Sequence, residues 1–175
     1  MLNHVQVKSG HPITPLRSHE FEVNEAAVGP LHELSKAGYL LLATTNQPGI
    51  SLGTVPRREL DTMHEVLKHR LHLDDVLVCP HDSGDQCNCR KPKPGLMFEA
   101  AFKWHLDLEH SFVISDRWQD AAAAHAAGCL SILVQSPWIG TGHHDFVVPN
   151  LASAVRKILQ LQVLAEAGLG SVCAA

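Results

Sequence analysis

The chain has 175 residues, 45% of them hydrophobic, with a formal charge of −4 and a pI near 6.3; this is the size of one domain able to bury its own core. Lysine and arginine form no long run, which argues against nucleic acid or an anionic membrane as partner. No apolar stretch reaches the roughly 20 residues of a membrane-spanning helix, and Met1-Leu2-Asn3-His4-Val5-Gln6 lacks the basic and apolar regions of a secretory signal.

The expectation is therefore one cytoplasmic domain over 1–175, a monomer. In chain order, Pro30 opens a short helix in which Leu31, Leu34 and Ala37 recur at helical spacing, and Gly38 suits its end. Tyr39 to Ala43 reads as a buried strand that breaks into a polar turn, Thr44 to Gly49. Pro56 starts a second amphipathic helix to about Leu71, and Asp75 to Val78 reads as a further strand. A cysteine-rich loop comes next, and Pro94 then begins a third helix running to about His105. Ser111 to Ser115 is a strand with Asp116 at its exit. Arg117 to Ala127 reads as helix stopped by Gly128, Leu130 to Val134 as strand, and Leu151 to Ala167 as a last helix before a tail of small residues. Such alternation predicts parallel pairing with right-handed crossovers, hence an open α/β sheet with helices on both faces. Ligands of these sheets sit beyond the C-terminal strand ends, so Thr44 to Gly49, Cys79 to Lys93 and Asp116 to Asp120 should converge on one crevice.

Of five cysteines, Cys79, Cys87 and Cys89 cluster beside His81. Cys79-Pro80-His81 and Cys87-Asn88-Cys89 together offer three thiolates and one imidazole, which satisfy tetrahedral Zn²⁺ and leave no open position, so the expected role is structural. Free thiols in a loop are the alternative. Cys129 reads as a small buried residue and Cys173 as a tail thiol. His143-His144-Asp145 could hold a second metal or be a polar loop; His64, His69, His105 and His110 read as solvated or partly buried side chains.

Arg90-Lys91-Pro92-Lys93-Pro94-Gly95 places cations immediately before a helix. A compact ammonium such as Lys91 suits a phosphate oxygen and Arg90 a bidentate partner, although a solvated basic turn would look the same. Thr44-Thr45-Asn46-Gln47 at a strand end supplies hydroxyl, amide and N–H donors for a phosphoryl group. Asp116 is placed either to hold Mg²⁺ together with water and phosphate or to cap the next helix.

Taken in order, Thr45-Asn46-Gln47-Pro48-Gly49-Ile50, the two cysteine motifs with Arg90 to Gly95, and Ser115-Asp116 with Asp120 resemble the haloacid dehalogenase (HAD) superfamily. The likeness, from about Asn3 to Val134, is to its zinc-loop branch, the D-glycero-D-manno-heptose 1,7-bisphosphate phosphatases and histidinol-phosphate phosphatases. It implies a Rossmann-like fold with structural Zn²⁺ and catalytic Mg²⁺, acting on a small phosphorylated metabolite. By the same likeness Thr45 and Lys91 stabilise the transferring phosphoryl group, and Asn46, Gln47 and Arg90 contact substrate. Asp116 becomes a magnesium ligand with Asp120 behind it. Arg117 stands where relatives often carry a substrate-side lysine, and Ser115 where they have glycine.

One departure bears on activity. The family opens with a strand ending in Asp-x-Asp-Gly, which carries the nucleophile and the general acid; this sequence contains no Asp-x-Asp. Met1-Leu2-Asn3 resembles the residues that follow that glycine. The expectation is that the first strand is missing, because the native chain starts further upstream, or replaced, with alternating His4 to Lys8 as the candidate, in a catalytically inactive relative.

Overall fold

The computed structural model describes residues 1–8 and 11–167; Cys173 lies outside them. A small antiparallel pair, β1 (Gln6–Lys8) and β2 (His11–Ile13), precedes two short 3-10 turns at Ser18–Glu20 and Glu25–Ala27. Then α1 (Val28–Lys36), β3 (Leu42–Asn46), α2 (Arg57–Leu71), β4 (Asp75–Cys79), α3 (Gly95–Trp104) and β5 (Phe112–Ser115) alternate. The chain continues through α4 (Trp118–Ala127), β6 (Leu130–Val134), β7 (Phe146–Val148) and α5 (Leu151–Glu166).

Pairing is parallel, as the alternation predicts: β3 with β4, and β5 with β6 and β6 with β7. Leu31 and Leu34 of α1 share one buried cluster with Val155 and Ile158 of α5 and with Ile132 of β6. Leu96 and Ala100 of α3 pack against Leu77 and Cys79 of β4 in a second cluster. Burying each such leucine or isoleucine contributes roughly 1.5–3 kcal/mol. The helices α3 and α4 also contact each other, and α4 covers β5 and β6.

The strands form two separate pieces, β3–β4 and β5–β6–β7. The outer edges of β3 and β5 pair with no other strand among the described residues. Both strands line one cavity of about 920 Å³, together with apolar residues such as Leu31, Leu67, Ala100 and Ile158. His4 to Lys8 does not replace the first strand: Gln6 to Lys8 instead pairs with His11 to Ile13 in its own hairpin, because a near neighbour in sequence closes at little entropic cost.

Two boundaries differ from expectation. The β3 strand begins three residues later than the apolar run, at Leu42, since its register is set by β4, with Leu42 opposite Asp75 and Asn46 opposite Cys79. Thr44, Thr45 and Asn46 thereby belong to the strand itself rather than to the turn. The strand β7 was hidden in a polar loop, being only three residues long. No helix among the described residues is long and apolar enough to cross a membrane.

Candidate metal loop and phosphate cleft

The strand β4 delivers Cys79 to the C-terminal edge of the sheet, and the loop after it folds back so that His81, Cys87 and Cys89 meet that sulfur. Their ligand atoms all lie within 4.8 Å of one another. Cys79 Sγ is 3.6 Å from Cys87 Sγ and 3.8 Å from His81 Nδ1, while Cys89 Sγ is 3.3 Å from His81 Nδ1 and 3.5 Å from Cys87 Sγ. A tetrahedral shell with metal–sulfur bonds of about 2.3 Å and a metal–nitrogen bond near 2.0 Å has edges of roughly 3.5–3.8 Å, so the four side chains fit one ion. Burial pushes the Cys89 thiol up to about 12, with the Cys79 and Cys87 thiols adding to it. Three thiolates crowd each other, and a divalent cation at their centre relieves that cost.

The loop is fastened to α3 by a close approach. Gly95 donates its N–H to the Asn88 carbonyl at 3.2 Å, and a Cβ on Gly95 would fall 2.3 Å from that same oxygen. Lys93 Nζ donates to the Cys87 carbonyl at 2.7 Å, and Arg90 Nη1 to the His81 carbonyl at 3.0 Å. The basic segment is thus bonded to the metal loop along its length.

Lys91 is the central residue of the cleft. Asn46 grips its backbone from both sides: Lys91 N–H donates to Asn46 Oδ1 and Asn46 Nδ2 donates to the Lys91 carbonyl, each at 3.1 Å. The ammonium donates to Thr44 O at 2.8 Å and pairs with Asp120, whose other oxygen accepts the Ser115 hydroxyl at 2.8 Å. Lys91 is therefore buried and charge-neutralised rather than a solvated turn residue. Gln47 N–H donates to the Cys79 carbonyl at 2.7 Å, and its side chain to Thr45 Oγ1 at 3.0 Å, linking β3 to the start of the metal loop.

Asp116 stands at the end of β5, where its carboxylate accepts from the Met1 ammonium at 3.3 Å. It does not cap α4: Arg117 occupies that position, with no side-chain bond. The Ser136 hydroxyl donates to the Asp116 carbonyl at 2.6 Å. Thr45, Asn46, Gln47, Arg90, Lys91, Asp116, Arg117 and Asp120 all line the same 920 Å³ cavity. The structure thus brings every expected cleft residue together, while Asp120 faces Lys91 and Ser115. Sequence reasoning took Thr44 as a phosphoryl donor, whereas its carbonyl accepts from Lys91, gave Ser115 no partner, and missed Ser136, since a serine near a strand end carries no signal of what its hydroxyl will meet.

The remaining candidates separate from the cleft. Among the described residues the Cys/His group is the only set of metal-ligating side chains gathered in this way, and His143-His144-Asp145 is held by polar contacts. Burial works against its charge, yet the Ser131 N–H and hydroxyl, at 2.7 and 2.8 Å, hold the Asp145 carboxyl below the ordinary aspartate value. Burial pushes the Cys129 thiol up to about 11, which suits a packing residue and not a nucleophile.

A family model described as HAD-hydrolase-like matches residues 88–154. The D-glycero-β-D-manno-heptose-1,7-bisphosphate 7-phosphatase of Salmonella typhi is 33% identical over 157 residues, covering 78% of this chain and 84% of that protein. The enzyme of the same name from Pseudomonas putida is 34% identical over 63% of this chain. The chain spans just under two thirds of the Pseudomonas putida and Escherichia coli relatives, 66% and 62% of their lengths. A crystal structure of D,D-heptose 1,7-bisphosphate phosphatase from B. bronchiseptica, complexed with magnesium and phosphate, superposes with a TM-score of 0.75 at 27% identity, covering 89% of this chain and 92% of that one. With the Cys/His loop and the cleft both in place on a parallel α/β sheet, the chain belongs to the heptose-1,7-bisphosphate 7-phosphatase family of the HAD superfamily.

Proposed function

We propose that this domain is a magnesium-dependent phosphatase of a small phosphorylated sugar, of the heptose 1,7-bisphosphate 7-phosphatase kind, with Zn²⁺ bracing its loop. The single observation that carries the reading is the sharing of one cavity by Lys91 and Asp116, with Thr45 and Arg90 on the same walls. Cys79, His81, Cys87 and Cys89 would hold the zinc in a closed, structural site, and Asp116 would hold Mg²⁺. Magnesium, when bound, neutralises charge on phosphoryl oxygens. The chain's own part is positional. The Lys91 ammonium and the Thr45 hydroxyl face the transferring oxygens, Asn46 fixes the backbone that carries Lys91, and Gln47, Arg90 and Arg117 orient the substrate.

The nucleophile is a separate matter, because no residue of the cleft matches it. We assign it to an aspartate on a further strand seated between β3 and β5, where two unpaired edges face one cavity. A second reading, phosphate or partner binding without turnover, is favoured by the carboxylates now in the cleft: Asp120 is paired with Lys91, and Asp116 with the Met1 ammonium. The test is phosphate release in Mg²⁺ from heptose 1,7-bisphosphate and from histidinol phosphate. The 175-residue chain should release none, and the same chain carrying an Asp-x-Asp-Gly strand ahead of Met1 should release phosphate from the heptose ester faster. Turnover by the shorter form would overturn the nucleophile assignment; failure of both forms to bind inorganic phosphate would overturn the whole reading.

A further inference from the structure

Beside the main cleft lies a smaller pocket of about 320 Å³, lined by Arg117, Trp118, Gln119, Pro137, Trp138 and Gly140. Arg117 and Gln119 line both cavities, so the two adjoin at these residues. The volume is at the low end of the roughly 300–1,000 Å³ of small-molecule sites. Its walls carry two tryptophans and one cation, and no carboxylate.

The pocket is held in register with the cleft by an unbroken set of contacts. Ser136 donates its hydroxyl to the Asp116 carbonyl at 2.6 Å and accepts the Trp138 N–H at 3.1 Å. Trp138 is thereby tied through one serine to the residue proposed to hold magnesium. Arg117, the neighbour of Asp116, places its guanidinium carbon 5.8 Å from the Trp138 ring centre, within cation–π range. On the other wall Trp118 lies so close to the loop that a Cβ on Gly140 would fall 2.6 Å from its ring. The Trp138 main chain is thus held by Ser136 with Arg117 beside its ring, and the Gly140 loop lies against Trp118, which remains exposed. An aromatic face that is fixed and open is ready to receive a flat apolar surface.

We infer that Trp118 and Trp138, beside Arg117, form a subsite that packs against the body of the substrate and selects it. The inference rests on the phosphatase reading of the adjoining cleft. An indole face accepts the C–H face of a sugar, and Arg117 donates to hydroxyls or to a second phosphate while repelling an ammonium such as that of histidinol phosphate. The residues that choose the substrate are, on this account, separate from those that hold the transferring group.

Calorimetric titration of the full chain with inorganic phosphate, heptose 1,7-bisphosphate and histidinol phosphate tests the subsite in Mg²⁺. Trp138→Ala should weaken heptose bisphosphate about tenfold and leave inorganic phosphate within about twofold, while Trp138→Phe restores most of the affinity. Arg117→Gln should narrow the preference for the heptose ester over histidinol phosphate. Equal weakening of all three ligands by Trp138→Ala, or of none, overturns the subsite, and the Phe variant separates lost stacking from lost folding. If wild type binds heptose bisphosphate through Trp138 but Lys91→Ala changes nothing, the cleft assignment fails and the subsite with it.

Discussion

Lys91 and Asp120 form an ion pair shut away from solvent, with side chains 8% and 11% exposed, between the loop before α3 and the first turn of α4. Two charges of opposite sign, 29 positions apart in the chain, are neutralised where either alone would be costly. The pair holds Lys91 against β3, where the ammonium also donates to the Thr44 carbonyl at 2.8 Å.

Asp120→Ala should therefore destabilise the domain by about 3–5 kcal/mol, since it leaves an ammonium buried without its partner. Urea unfolding measures this. Combining it with Lys91→Met should recover most of the stability while abolishing phosphate binding. A loss in the double variant equal to the sum of the two single losses would show that the pair contributes nothing as a pair.

Zinc analysis should find one ion per chain. Cys89→Ser should lower that occupancy, and a chelator should reduce the melting temperature and weaken phosphate binding together, because Arg90, Lys91 and Lys93 are bonded to the loop or follow it directly. Full phosphate affinity in the metal-free protein would separate the loop from the cleft.

Gly95→Ala inserts a methyl group against the Asn88 carbonyl, a backbone atom that cannot swing aside. The expected cost is about 1–3 kcal/mol, with loss of metal affinity. Glu99→Ala, on the exposed face of the same helix, serves as the comparison. Unchanged metal binding in Gly95→Ala would show that the loop tolerates a shift away from α3.

Burial holds His64 below the ordinary histidine value of 6.5. The folded chain then binds a proton there less readily than the unfolded chain, so this part of the stability is present in full above about pH 6.5 and declines as the pH falls below it. His64→Gln should lose less stability than wild type between pH 7.5 and pH 5.5. An identical loss would assign the acid sensitivity to other groups.

A chain extended by an apolar strand ahead of Met1 should melt higher than the 175-residue form. The cavity between β3 and β5 offers that strand backbone partners on both sides and apolar residues around it. Matching melting temperatures, together with an unprotected extension in hydrogen exchange, would place the strand elsewhere.

Much of this was legible in local sequence. Local pattern marked α2, α3 and α5 to within a residue or so, and Pro56 and Pro94 marked the starts of the first two. The misplacement of β3 has a simple cause. Tyr39 to Leu41 are apolar but lead into the strand, and the neighbouring strand β4, which sets the register, lies some thirty positions away. The cleft was legible as three strand-end loops, because parallel α/β topology sends those loops to one edge.

By itself the sequence determined that Cys79, His81, Cys87 and Cys89 gather, since these four candidate ligands fall within eleven residues and need only a short chain to meet. It determined the alternation of strand and helix for the same reason, that both are read over one or two turns. Only the tertiary structure decided that Lys91 is neutralised by Asp120, that Ser136 ties Trp138 to Asp116, and that β3 and β5 face each other across an open cavity. Each of those depends on residues distant in the chain, whose meeting follows from the packing of whole elements rather than from any local pattern.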